Sequence, residues 1–286
     1  MTKPLIKWTG GKTQIVDTLL EIIPKEIDNY HEIFLGGGSV LIKVIESKRV
    51  NGKIFAYDVN EQLIRFYKDV QNRPLELYNI TKTMVDMFLS LSSHKATTRN
   101  PKTHHQASQS REAYYYWIRK IYNNSPISIE RSAIFLFLNK TSFRGLYRVG
   151  PNGYNVPYGH NKNPQIIDKE HLLKVSDLIQ GVEFHSLSFE NSLKTNIKEN
   201  DFVYLDPPYV QENSTSFVGY TKNGFEFHEI LFRMIKELNC KWLLSNSNTD
   251  IVKKSFENYH TREIIVRRQI NSKNPGNKTS EILINN

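Results

Sequence analysis

Tyr30-His31-Glu32-Ile33-Phe34-Leu35-Gly36-Gly37-Gly38-Ser39 is the stretch that decides the fold. Six residues rich in aromatic and branched side chains read as a strand, and three glycines break it. Ser39 can then cap a helix running to about Arg49. A second strand, Lys53-Ile54-Phe55-Ala56-Tyr57, ends at Asp58, and Asn60 can cap a helix through Gln71. Strand, glycine turn, helix, strand and acid together make the layout of an open nucleotide-binding sheet, so the expected class is α/β. Glycines allow close approach of a ligand to the backbone, and the helix N-terminus behind them favours a polar or anionic group. An acid at the place of Asp58 suits the two hydroxyls of a ribose. The plainer alternative is a glycine-rich turn followed by a helix-capping Asp. The pattern is not the full G-x-G-x-x-G of a dinucleotide site.

Further along, the texture changes. Residues 75–89 read as helix, and 90–111 as a polar surface loop carrying Ser92-Ser93-His94 and His104-His105. Helices are expected near 112–123 and 129–140, followed by a turn-rich segment at 142–159. After about 165 the α/β texture returns. It gives a helix near 169–180, strands near 182–186 and 202–205, a helix near 227–238, a strand at 241–245 and closing strands near 262–267 and 280–285. A helical, loop-rich insert at 72–165 therefore interrupts a sheet domain made of 1–71 and 166–286.

The strand Phe202-Val203-Tyr204-Leu205 runs directly into Asp206-Pro207-Pro208-Tyr209. Two prolines stop the strand and stiffen the turn. A carboxylate, a backbone short of N–H donors and an aromatic ring then stand together. Such a corner can hold a planar amine: the carboxylate takes one N–H, a bare carbonyl another, and the ring stacks on the heterocycle. The exocyclic amine of a nucleobase fits. The alternative is an ordinary strand-ending turn.

Composition narrows the function classes. The 286 residues carry a net charge of +9, which favours a polyanionic partner, and 39% are hydrophobic, enough for a substantial core. No apolar run approaches a membrane span, and the N-terminus lacks a signal-peptide core, so an intracellular, cytoplasmic protein is expected. The single cysteine, Cys240, excludes an internal disulfide and a Cys-rich zinc site, and no proline precedes it as in cytosine C5 methylation. Adjacent His104-His105 make a poor metal site, and no metal is expected. Gly11-Lys12-Thr13 matches the end of a phosphate loop, but Ile6 stands where its first glycine belongs. No G-x-S-x-G elbow occurs. Segment 143–159 mixes Arg144 and Arg148 with Phe143, Tyr147, Tyr154 and Tyr158. Arginine can pair with guanine and an aromatic can wedge into a base stack, or the loop is simply basic with its aromatics folded inward.

Taken together these motifs resemble the Dam-type DNA adenine N6-methyltransferases, the D12 class of the α-ordered amino-methyltransferases, nearly end to end. The carrying residues are Lys7 to Lys12 (Lys-Trp-x-Gly-Gly-Lys), Phe34 to Gly38, Asp58 and Asp206 to Tyr209. To these are added Gly145-Leu146-Tyr147-Arg148, Asn155 to Gly159, and the tail Ser280-Glu281-Ile282-Leu283-Ile284. The resemblance implies a Rossmann-like methyltransferase sheet with an inserted DNA-recognition domain, and S-adenosylmethionine as methyl donor. It implies catalysis by Asp206, Pro207, Pro208 and Tyr209. It implies cofactor contacts from Trp8, Lys12, Phe34, Gly36, Gly38, Asp58 and Asp206, and double-stranded DNA contacts from Phe143, Arg144, Leu146, Arg148, Asn155 and Pro157. Phe143 would be the wedge and Arg148 would meet a guanine.

Two departures stand out. Glu32-Ile33-Phe34 replaces the usual Asp/Glu-Pro-Phe, and Arg144 stands where GATC-specific members commonly carry Asn. GATC and a related site with central AT, such as CATG, therefore both remain open. A cognate restriction endonuclease acting on the same site is a compatible partner. An amino-methyltransferase acting on RNA or on glutamine, and a non-catalytic nucleic-acid-binding module, are the rival classes.

Overall fold

The structure, a computed structural model, describes residues 2–96, 98–210, 224–267 and 278–286. In chain order the elements begin with α1 (Val16–Ile22), β1 (Tyr30–Glu32), α2 (Ser39–Ser47), β2 (Ile54–Asp58), α3 (Glu61–Asn72) and α4 (Pro74–Ser90). They continue with α5 (His104–Ala107), α6 (Arg111–Asn124), α7 (Ile129–Thr141), a 3-10 turn at Phe143–Gly145, β3 (Val149–Gly150), β4 (Gly153–Tyr154), α8 (Lys169–Leu178) and β5 (Val182–Ser186). Last come α9 (Phe189–Ser192), β6 (Phe202–Leu205), α10 (Gly224–Lys236), β7 (Lys241–Ser247), α11 (Asp250–Ser255), β8 (His260–Arg267) and β9 (Lys278–Asn285).

Two compact units result. One contains Lys12–Leu35, Ser39–Val59 and Gly181–Asn286; the other contains Met1–Gly11, Gly36–Gly38 and Asn60–Gln180. The division by role expected from the sequence, with 72–165 as the insert, is a different cut: α3 and α8 belong here with the helical unit.

The first unit is a seven-stranded sheet in the order β5-β2-β1-β6-β7-β9-β8. β5 through β7 pair in parallel, and β9 runs antiparallel between β7 and β8. The sheet reverses its winding between β1 and β6, the switch point where open α/β sheets bind ligands beyond the strand carboxyl ends. All four residues of β6 are buried, as a central parallel strand covered on both faces requires. Val203, Leu205, Trp242, Leu244, Ile282 and Ile284 from the strands pack with Leu231 and Ile235 of α10 and Phe256 after α11. Full burial of each such side chain is worth about 1.5–3 kcal/mol, enough to fix where β6 ends. β1 is shorter than expected, because the chain leaves its ladder at Ile33. The Ile33 amide still donates to the Tyr204 carbonyl at 3.0 Å and the Leu35 amide to the Tyr57 carbonyl at 2.8 Å, so it peels away while held between two neighbours.

Ser39 does not cap α2. It is the first residue of the helix, and its hydroxyl accepts the Lys12 amide at 3.1 Å. Asn60 does cap α3, accepting the Leu63 amide at 3.1 Å.

The second unit is built on α7, which is buried over nearly its whole length and packs against α3, α4 and α6. Helices α6, α7 and α8 start on side-chain caps: Ser110, Ser128 and Asp168 each accept an amide three residues on. The expected loop at 90–111 holds a helical turn, α5, capped by Thr103. Ala107 and Ser110 are buried, so this segment has an inner face that its polar composition hides.

Candidate active site and nucleic-acid interface

In the sheet unit the chain turns sharply after β6. Asp206 takes an ion pair from Lys12, Nζ to Oδ1 at 2.8 Å, with 4% of the Lys12 side chain exposed and 18% of Asp206. The same ammonium lies 4.9 Å from the centre of the Tyr209 ring. The Tyr209 hydroxyl donates to Glu281 Oε2 on β9 at 2.8 Å. Behind the turn, His228 Nε2 donates to the Pro208 carbonyl at 2.8 Å. The Val210 amide donates to Asn246 Oδ1 at 3.2 Å, and Ser247 Oγ donates to the Val210 carbonyl at 2.7 Å. Each grip comes from α10 or β7, so the proline turn rests on the core.

Burial pushes the Asp206 carboxyl up to about 6; the Lys12 ammonium opposes the rise and the Glu281 charge adds to it. Glu32, at the end of β1, is 2% exposed and accepts the Tyr30 hydroxyl at 2.8 Å. Burial raises its carboxyl well above the usual range, and the Asp206 charge adds to that. Tyr209 is raised by burial and by the charges of Asp206 and Glu281, so its hydroxyl stays protonated and donates. A partly neutralised carboxylate, a proline-stiffened backbone and a hydroxyl-anchored ring thus share one corner. Phe34 packs on Phe189 and Phe227 in this unit, at 6.2 and 6.4 Å between ring centres. Asp58 ends β2, half-buried.

In the helical unit, Trp8 carries the glycine turn. A Cβ on Gly36 would meet Trp8 Cδ1 at 2.8 Å, and one on Gly37 would meet Trp8 Cβ at 2.9 Å. Gly36 and Gly38 both have positive φ, +50° and +69°. Trp8 also stacks on Tyr147, 5.4 Å between centres. Lys7 is strapped to α7 by Asn139, whose side chain accepts the Lys7 amide and donates to its carbonyl, both at 2.8 Å.

The residues expected to meet DNA come together in this unit. Phe143, Arg144, Arg148, Asn155 and Pro157 are exposed and Leu146 is half-buried. Arg144 has a left-handed backbone, φ +58°, and its guanidinium covers the Phe143 ring at 5.1 Å. Arg148 Nε donates to Asn155 Oδ1 at 2.6 Å across the β3–β4 hairpin. The Phe143 amide donates to the Pro157 carbonyl at 2.8 Å. Tyr154 and Tyr158 are buried and pack on Tyr122 and Tyr115, so of the segment's aromatics these two fold inward. A cleft of about 440 Å³ is lined by Lys7, Lys140 and Lys162 with Asn161, Asn163, Pro164 and Gln165. Burial, with Lys7 nearby, lowers Lys140 to about 8.

The description D12 class N6 adenine-specific DNA methyltransferase belongs to a family whose model matches residues 8–270. The chain belongs to that family. It is 36% identical to the Type II methyltransferase M.MjaIII of Methanocaldococcus jannaschii, over 99% of both chains. It is 30% identical to the Type II methyltransferase M1.LlaDCHI of Lactococcus lactis subsp. cremoris, over 99% of this chain and 95% of that one. It is 28% identical to a DNA adenine methylase of Haemophilus influenzae, over 96% and 89%. The expected family, α/β class and adenine methyltransferase activity therefore stand, and the RNA, glutamine and non-catalytic alternatives give way. Membership implies S-adenosylmethionine as methyl donor and DNA as substrate.

As a member of the D12 class the chain still holds side chains that its sequence did not mark. His228, Asn246 and Lys140 carry no motif. Glu281 falls in a matching tail but lies 72 residues from the ring it holds. Cys240 is buried and pushed up to about 11 by burial, an inert thiol. His104 and His105 are exposed on α5, and no group of three His, Cys, Asp or Glu able to hold a metal occurs among the described residues. No helix among them is long and apolar enough to cross a membrane.

Proposed function

We propose that the enzyme methylates N6 of an adenine flipped out of a short duplex site, GATC or a related site with central AT such as CATG. The observation that carries this is the Asp206–Lys12–Tyr209 corner at the carboxyl end of β6. Flipping costs a few kcal/mol, and stacking of the extruded base on Tyr209 returns roughly 1–3 kcal/mol. Asp206 and the Pro207 carbonyl accept the two N6 protons, which turns the nitrogen lone pair outward. The Pro207 carbonyl makes no hydrogen bond among the described residues, whereas that of Pro208 is held by His228. After transfer N6 sheds one proton, and ionised Asp206 is placed to take it. Positioning and a preorganised corner would carry most of the rate gain.

The donor set fits the cofactor: an acid ends β2, another ends β6, and a glycine turn with positive φ leads into α2. When bound, S-adenosylmethionine supplies an electrophilic methyl on sulfur. Asp58 would hold the ribose hydroxyls, Gly36 and Gly38 would admit the ligand to the backbone, and Trp8, Lys12, Phe34 and Asp206 would shape its pocket. Residues 72–165 would serve recognition and the remainder catalysis. Phe143 would wedge the duplex, Arg148 would meet a guanine, and Arg144, Leu146, Asn155 and Pro157 would complete the reading surface. A cognate endonuclease on the same site is the compatible partner.

The test is single-molecule sequencing of DNA from cells expressing the chain, with Asp206→Ala as control. The expected result is N6-methyladenine in one short context, and nothing from the variant, which still folds. Marks on cytosine, or full methylation by Asp206→Ala, would refute the reading.

A further inference from the structure

The Tyr209 ring is fixed at more points than an apolar filler needs. Its backbone is held just before and just after the ring, by His228 at the Pro208 carbonyl and by Asn246 and Ser247 at Val210. Its far end is held by Glu281, hydroxyl to Oε2 at 2.8 Å. A hydrogen bond to a carboxylate belongs to the stronger, more directional class. Glu281 is itself a firm anchor. It sits within β9, opposite Ser247 of β7 on one side and Ile264 of β8 on the other, so its backbone is paired from both flanks. Rotation of a tyrosine about its ring bond is soft. The hydroxyl oxygen lies on that axis, so its bond to Glu281 fixes the ring's tip, and the phenolic O–H, which prefers the ring plane, favours the plane that contains Oε2.

We propose that Glu281 is a positioning residue for methyl transfer, holding through the Tyr209 hydroxyl the ring face on which the flipped adenine stacks. The inference rests on the function proposed above. It predicts a loss in kcat, not in cofactor affinity, and a loss that travels through one oxygen atom.

The experiment is a double-mutant cycle on the full chain with a duplex substrate, measuring kcat, with calorimetric binding of S-adenosylmethionine alongside. Glu281→Ala and Tyr209→Phe are each expected to lower kcat by about 10–100-fold, the scale of a small misplacement of reacting groups. The double variant should be no worse than Tyr209→Phe by more than about threefold, because both changes break the same contact. Glu281→Gln, whose amide oxygen still accepts the hydroxyl, should stay within about threefold of the unmodified enzyme, and cofactor affinity should not move. A duplex with 2-aminopurine at the target adenine gives a second readout. Its fluorescence should be quenched by stacking in the unmodified enzyme and brighter in Glu281→Ala. Additive losses in the cycle, or full kcat in Tyr209→Phe, would overturn the proposal. If Glu281→Ala does not fold, Tyr209→Phe and Glu281→Gln decide: an impaired first with an intact second supports the role, and the reverse removes it. An unmodified enzyme that leaves duplex adenine untouched would instead sink the function on which this rests.

Discussion

Asp206 works against its surroundings. Burial raises its carboxyl to about 6 from an ordinary 3.8, and the protonated form is therefore favoured in the folded protein. Its contribution to stability is fully present below the unfolded value and is lost as pH climbs from 3.8 to about 6. Activity runs the other way, since a carboxylate that must accept an N6 proton has to be ionised. The expected outcome is a kcat/KM that rises with pH through an acidic limb near 6. Lys12→Met, which removes the opposing ammonium, should move that limb upward; a limb that stays in place would show that the pair does not govern the ionisation. The corner was partly legible in the sequence because Asp206 to Tyr209 are contiguous and the prolines declare a turn. The partners were not. Lys12 was singled out by its motif but not as the ion pair of Asp206, and nothing in the spacing brings Glu281 to a ring 72 residues away. Such pairings are set by strand order, which local pattern does not carry.

At the scale of elements, strands in the sheet were readable because buried runs such as Phe202–Leu205 are continuous and sharply ended. Short helices were not: α1, α9 and α11 are too brief to show a period, and α5 is hidden in polar sequence. The glycine turn was marked correctly as a glycine turn, but part of its cause lies elsewhere in the chain. Trp8 fills the space that a side chain on Gly36 or Gly37 would need. Gly36→Ala should therefore cost about 1–3 kcal/mol, from positive φ and the Trp8 contact together. Gly181→Ala meets nothing within 4 Å, and should fall within about ±0.5 kcal/mol of the parent. Chemical denaturation of both variants checks this, and equal effects would mean that the turn tolerates a Cβ. In the β3–β4 hairpin, Arg148 is preset by Asn155 at 2.6 Å. Arg148→Ala should weaken discrimination at one guanine by about 1–3 kcal/mol. A uniform loss over all duplex sequences would assign Arg148 to phosphate instead.

For the whole molecule, a net charge of +9 says only that a polyanion is a plausible partner; the structure shows where part of that charge is gathered. Lys7, Lys140 and Lys162 line one cleft in the helical unit, and burial, with the Lys7 charge adding to it, brings Lys140 down to about 8. A phosphate entering the cleft would offset that charge and favour the charged lysine, so phosphate binding and protonation of Lys140 are linked. DNA affinity should then fall as pH rises through about 8, where Lys140 gives up its proton. Salt should act through the same group: each phosphate neutralised contributes about 0.9 to the slope of log affinity against log salt. Lys140→Gln should flatten the pH dependence near 8 and reduce the salt slope by about 1. Fluorescence anisotropy of a labelled duplex across pH 7–9 and a salt series measures both. An affinity indifferent to pH over that range, with a salt slope unchanged in the variant, would place the DNA backbone away from this cleft.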